Sequence, residues 1–252
     1  MTMATPATIT ATTNTTRNRR SRSRRSGQGR VPLRAAALTA GIALLVLAAP
    51  RLVGGLLIAE HETTLRSIAQ GRQLSADVLL EARRDYEASL AWYGGGREWA
   101  DLGRLSLQLA IAPEVGEGAA RALLEAGAEA YGQALGRAPA NTFAWASLSE
   151  VELLLHGPIE RFQAAYVRSI ATGPAEPALA RFRLRVGFAY WPHLNEQARR
   201  AMTQQVQIAA SIAPAVLASE ARTPVLRDLV AEVLGDRADL YARFAAALPP
   251  EE

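Results

Sequence analysis

Apolar positions follow two regimes along this chain. From Ala35 to Ala59 the stretch AAALTAGIALLVLAAPRLVGGLLIA is apolar throughout, with Arg51 its one charge. About 20 apolar residues carry a helix across a ~30 Å hydrocarbon layer, so this stretch predicts a membrane-spanning helix. From Ser75 onward apolar residues recur every three or four positions, the signature of amphipathic helices. One such helix opens after Ser75 and stops at Gly94 to Gly96, the next ends at Pro113, and another ends before Pro139. A fourth starts on Asn141 and stops at Gly157-Pro158, and one short helix leads on to Pro174. In the next, Leu179, Phe182, Val186 and Ala189 form one apolar stripe. Asn195 caps a helix running to Pro214, and Thr223-Pro224 opens a last one to about Leu248. Alternating β-branched runs with hairpin turns do not occur in the sequence, so the predicted fold class is all-α.

Ahead of the apolar stretch the pattern vanishes. Residues 1–16 are a Thr- and Ala-rich, low-complexity run, expected to be disordered. Residues 1–34 hold Arg17, Arg19, Arg20, Arg22, Arg24, Arg25, Arg30 and Arg34 and no acid. The rest of the chain has 20 arginines against 24 acids, so the net charge of +4 conceals a mildly acidic body behind a basic tail. That argues against a nucleic-acid-binding domain, which carries its basic face on the fold itself. An arginine cluster beside a spanning helix is a topology signal that keeps its own side cytoplasmic. Glu60 and Glu62 flank the other end. The expected organisation is a cytoplasmic tail (1–34), a transmembrane helix (35–59), a juxtamembrane linker (60–74) and a helical domain (75–252) in the periplasm of a bacterium. Arg51 lies about eight residues, or ~12 Å, from Ala59 and can snorkel to the interface. A cleaved signal peptide ending near Val46-Leu47-Ala48 is the competing reading of the same stretch.

The helices carry a repeat. Pro139, Pro174 and Pro214 stand 35 and 40 residues apart. Tyr131, Tyr166 and Val206 each precede one of them by eight residues, and Ala134 and Ala209 precede theirs by five. Trp99-x-x-Leu102-Gly103 and Trp145-x-x-Leu148-Ser149 open two of the preceding helices. This is the grammar of degenerate tetratricopeptide-like helical hairpins. Over residues 75–217 the order and spacing of Trp99, Leu102, Thr172-Gly173-Pro174, Glu176-Pro177, Arg183-Leu184, Trp191, Leu194, Gln205 and Pro214 resemble the membrane-anchored, tetratricopeptide-like proteins encoded with bacterial exopolysaccharide genes, the VpsP type. The resemblance implies an accessory role in making or exporting an envelope polysaccharide, and it brings no catalytic residues.

Candidate chemistry is sparse. Every one of the 28 basic residues is Arg, so no arginine here can be taken as chosen over lysine. Cysteine is absent, which removes thiolate nucleophiles, disulfides and Cys-based metal sites. His61-Glu62 begins like a zinc-protease motif, but Leu65 stands where the second histidine belongs. His61, His156 and His193 are expected as surface or capping residues. Gly94 to Gly96 lack the Lys-Ser/Thr of a P-loop. The expected function is therefore a non-enzymatic, membrane-anchored interaction protein without cofactor or metal. Its expected partners are the lipid bilayer and other membrane or periplasmic proteins of an envelope assembly, with self-association left open. A repeat groove is lined by the first helix of each pair, which places Asn141, Glu150, Arg181 and Arg185 as candidate partner contacts. The alternative is an envelope polysaccharide-modifying enzyme whose scattered acids are gathered by the fold.

Overall fold

The computed structural model describes the backbone of residues 30–249 and the side chains of 36–249. The predicted disorder of residues 1–16, and the arginines from Arg17 to Arg25, lie outside the described residues. Arg30 and Arg34 fall in the first helix, their side chains undescribed. Among the described residues all regular structure is helical. The chain divides into two units, residues 1–47 and 48–252.

Helix α1 (Arg30–Ile58) is long and apolar, and its residues from Leu38 to Leu47 are solvent-exposed. It is long and apolar enough to cross a membrane. Pro50 sits inside it. Its last two turns differ from the rest. Gly54 is buried, and Ile58 packs with Leu65, Leu79 and Leu105. The predicted span of 35–59 therefore ends on protein, because Gly54 and Ile58 meet the domain.

Residues 60–74, expected as a linker, are mostly helical. A one-turn 3-10 helix (Ala59–His61) leads into α2 (Glu62–Ala69), and Leu65 of α2 is buried in the domain core. A linker has no apolar face to bury; the pattern Leu65, Ile68, Leu74 supplies one.

The body then runs as α3 (Ala76–Trp92), α4 (Gly96–Ala110), α5 (Glu117–Arg137), α6 (Thr142–His156), α7 (Glu160–Thr172), α8 (Pro177–Ala189) and α9 (Glu196–Ile212). Consecutive helices from α3 to α7 pack side by side, α4 on α5 most extensively, and α9 joins α7 and α8. Side-chain caps at Asn141, Asn195 and Thr223 occupy their expected positions and accept from Ala144, Ala198 and Leu226. Glu176 adds a cap not expected, accepting from Ala178 ahead of the helix that Pro177 opens. Gly157 ends α6 with φ +79°, a conformation only glycine adopts without strain, while its N–H bonds Leu153 O at 2.8 Å.

The residues twelve, eight and five before each proline are inside: Gly127, Tyr131 and Ala134; Phe162, Tyr166 and Ser169; Met202, Val206 and Ala209. The helices α4, α6 and α8 carry small buried residues, Gly103, Ser149 and Gly187. A Cβ on Gly103 would stand 3.0 Å from the Tyr131 ring, and one on Gly187 would overlap Met202 Sδ and Tyr166 Oη. These glycines set how closely helix meets helix.

Two sequence expectations are corrected. The apolar stripe of α8 is rotated: Ala189 is exposed, while Ala180, Arg183, Leu184 and Gly187 form the buried face together with Val186 and Phe188. The final segment is three helices: α10 (Pro214–Glu220), α11 (Pro224–Leu234) and α12 (Ala238–Ala246). Gly235 breaks the predicted single helix, letting Leu234, Leu240 and Phe244 all reach one core with Leu217.

Candidate functional site

The site is built on the first three turns of α4. Arg97, Asp101 and Arg104 are spaced four and three apart, so they share one face of the helix. Asp101 is buried, with Arg97 Nε at 3.6 Å and an Arg104 guanidinium nitrogen at 3.8 Å. Burial raises the Asp101 carboxyl above its ordinary range, and the two guanidiniums oppose that rise. Arg97 itself projects into solvent.

Across from this face stands α2, which contributes Glu62 and Arg66, and beyond it the start of α6 contributes Asn141 and Phe143. Together these residues line an open groove of about 550 Å³. Three guanidiniums (Arg66, Arg97, Arg104) face it against two carboxylates, Glu62 and Asp101. Phe143 adds an exposed ring, and Asn141 lines the groove while its side chain caps α6. A second cavity of about 400 Å³ shares Glu62, Arg97 and Asp101 and adds Glu98, Tyr86 and Gly55.

The four residues singled out from sequence are dispersed. Asn141 lies in the groove. Glu150, further along α6, is half-buried; burial raises its carboxyl, and Arg185 on α8 opposes the rise. Arg181 is exposed and turns to Glu220 of α10 at 3.6 Å. The groove residues Arg66, Arg97, Asp101 and Arg104 were not singled out. The Arg-x-x-x-Asp-x-x-Arg spacing was there to read, but it has the form of a common surface ion-pair series.

Arg183 is the larger omission. It is fully buried, and among the described residues no carboxylate pairs with it. Its guanidinium donates to Gly173 O (2.8 Å), Thr142 Oγ1 (2.8 Å) and Gln205 Oε1 (3.2 Å), and to Ser169 O. Ser169 O and Gly173 O are carbonyls at the C-terminal end of α7, where a helix presents its negative pole. Thr142 belongs to α6 and Gln205 to α9, so one side chain joins four helices. Burial lowers its pKa to about 10. Arg183 occupies the place, four residues before the small residue of its pair, that Trp99 and Trp145 hold in theirs.

Compared with family models, curated proteins and solved structures, the chain matches none.

Of the three histidines expected at the surface or as caps, His61 departs. His193 is exposed, in a one-turn 3-10 helix after α8, and His156 is exposed at the end of α6, beside Glu152. His61 is buried, its Nε2 bonded to Asp85 of α3 at 2.7 Å. Glu60, His61 and Asp85 bring ligand atoms within 4.8 Å of one another. The His61–Asp85 hydrogen bond gives that trio a structural use, clipping the segment after α1 to α3.

Proposed function

We propose that this chain is a non-enzymatic, single-pass membrane-anchored interaction protein whose helical domain docks an acidic segment of a partner. The observation that carries the reading is the groove between α2, α4 and α6, with three guanidiniums, an exposed phenylalanine ring and an open mouth. Arginine clusters of this kind recognise carboxylates and phosphates through charge-assisted hydrogen bonds. The buried register ahead of Pro139, Pro174 and Pro214 supports degenerate tetratricopeptide-like pairs, in which α4, α6 and α8 are first helices. The apolar length of α1 supports the anchor, and the arginine-rich tail supports a cytoplasmic N-terminus, with the domain on the periplasmic side of a bacterial inner membrane. The resemblance to the VpsP type points to an accessory role in envelope or exopolysaccharide biosynthesis or export.

A second reading, a polysaccharide-modifying enzyme, draws on Glu62, Glu98 and Asp101 lining one cavity, with the Asp101 carboxyl raised by burial. Two carboxyls with different protonation preferences are what glycoside hydrolysis requires.

Pull-downs from membranes separate the readings. The exposed pair Arg66 and Arg97 is changed to Glu, and in a second variant Arg181 and Arg185 are changed to Glu. Loss of the same partner from the first variant, with helical content unchanged, is expected. Identical recovery from wild type and the Arg66/Arg97 variant would overturn the groove, and loss from the Arg181/Arg185 variant alone would move the contact to α8. Glu62→Gln should leave capture intact; turnover of an envelope polysaccharide by wild type, abolished in Glu62→Gln, would favour the enzyme.

A further inference from the structure

The end of α1 and the end of α3 meet in a particular way. Three contacts pair them in antiparallel order: Arg51 with Tyr93, Gly54 with Ser89, and His61 with Asp85. Ser89 Oγ donates to Gly54 O at 2.9 Å, and a Cβ on Gly54 would lie 3.1 Å from that hydroxyl. Gly54 thus lets the two backbones approach closely. The Arg51 guanidinium stands 4.8 Å from the centre of the Tyr93 ring, a cation–π contact. Because α3 runs back along α1, its last residues arrive beside Arg51.

Those last residues are large and uncovered. Trp92 is 56% exposed and Tyr93 37%, and Leu52 and Leu56 of α1 are 64% and 67% exposed. A Cβ on Gly54 would lie 3.8 Å from Trp92 Cβ, so the open tryptophan stands beside the turn of α1 that carries both leucines, an arrangement from which a soluble surface gains nothing. Trp and Tyr are, however, the residues that partition to the headgroup level of a bilayer, and a long basic side chain snorkels to the same level. The length of α1 agrees. The 16 residues from Ala35 to Pro50 carry no charge, ~24 Å of helix at 1.5 Å per residue, the scale of a hydrocarbon layer that ends at Arg51.

We propose that Arg51, Trp92 and Tyr93 form an interfacial anchor that seats the tip of the helical domain on the lipid headgroups, the bilayer boundary falling at Arg51 and not at Ala59. This rests on the reading of α1 as a spanning helix. It adds that the domain itself touches lipid through α3. Arg51, the one charge in the apolar stretch, then marks the edge of the membrane and costs no charge burial in its centre.

The chain has no cysteine, so single-cysteine variants can be labelled with a nitroxide without other changes. Full-length Leu45→Cys, Trp92→Cys, Ala91→Cys and Ile212→Cys proteins are labelled and reconstituted into phosphatidylethanolamine–phosphatidylglycerol vesicles. Collision of each label with oxygen, which concentrates in lipid, is compared with collision with a water-soluble nickel chelate. Ile212 is an exposed apolar residue in α9 and supplies the aqueous reference. The expected result is a lipid-like ratio at Leu45 and, at position 92, a ratio shifted clearly from that of Ile212 towards that of Leu45. Ala91→Cys keeps Trp92 and Tyr93 in place and should show the same shift. A lipid-like Leu45 with aqueous values at both 91 and 92 overturns the anchor and leaves the spanning helix standing. An aqueous value at Leu45 overturns the spanning helix, and the anchor with it.

Discussion

Arg183 shows how much one side chain can hold. Its guanidinium satisfies two carbonyls at the end of α7 and ties them to Thr142 and Gln205. Replacing it by methionine removes the cost of burying a charge but leaves those acceptors buried without donors, at ~1–3 kcal/mol each. Arg183→Met is therefore expected to destabilise by about 2–4 kcal/mol in urea unfolding followed by circular dichroism. Arg183→Lys should rescue little, because an ammonium cannot reproduce the planar fork. A loss under about 0.5 kcal/mol, the usual range of a surface change, would show the network to be dispensable. Sequence reasoning passed over this residue for a physical reason. An arginine between Arg181 and Arg185 reads as part of a solvated face, and only the carbonyls at the end of α7 make an interior position tolerable. Asn141 and Asn195 were legible because a cap is local: the donor it satisfies is three residues away.

Among the helices, the closeness of packing is written in small residues. Gly187 of α8 has no room for a methyl group, which would overlap Met202 and Tyr166. Gly132, in the middle of α5, has open space at the same position. Gly187→Ala is expected to cost ~1–3 kcal/mol as overpacking. Gly132→Ala should instead stabilise by ~0.4–1 kcal/mol, since alanine restricts the unfolded chain and favours the helix. Opposite signs in parallel thermal melts are the test; a stable Gly187→Ala would mean that α8 and α9 slide apart freely. Element existence was largely legible, because a 3.6-residue period persists over long stretches. The break at Gly235 was not, since Thr223-Pro224 starts a helix plainly and nothing as strong as a proline stops it before Leu248. The stripe of α8 was misjudged because small residues and an arginine, not the large apolar ones alone, fill its inner face.

For the whole molecule, orientation is the property with the clearest expectation. A reporter active only outside the cytoplasm, fused after Glu62, should be active in cells. Replacing Arg17 to Arg25 with Gln should yield mixed orientations, because Arg30 and Arg34 alone carry less of the signal. Unchanged orientation in that variant would mean the charge bias lies elsewhere. The candidate site was the least legible part. Asn141 was placed in the groove by reasoning from repeat geometry, yet Arg66 belongs to a segment expected to be linker. A groove assembled from α2, α4 and α6 is a long-range fact that no local pattern carries.

The clip between His61 and Asp85 also fixes a height. From Arg51 to Glu62 the chain is helical almost throughout, so the groove's first residue lies at most ~18 Å further along the chain. That is less than the diameter of a small folded protein. On the proposed reading, with the bilayer edge at Arg51, a groove so close to it would act as a steric filter: a bulky globular ligand arriving from solution would meet the lipid before it met Arg66. The proposed partner, a slender acidic segment, would pass, and one tethered to the same membrane would search for the groove in two dimensions at high local concentration.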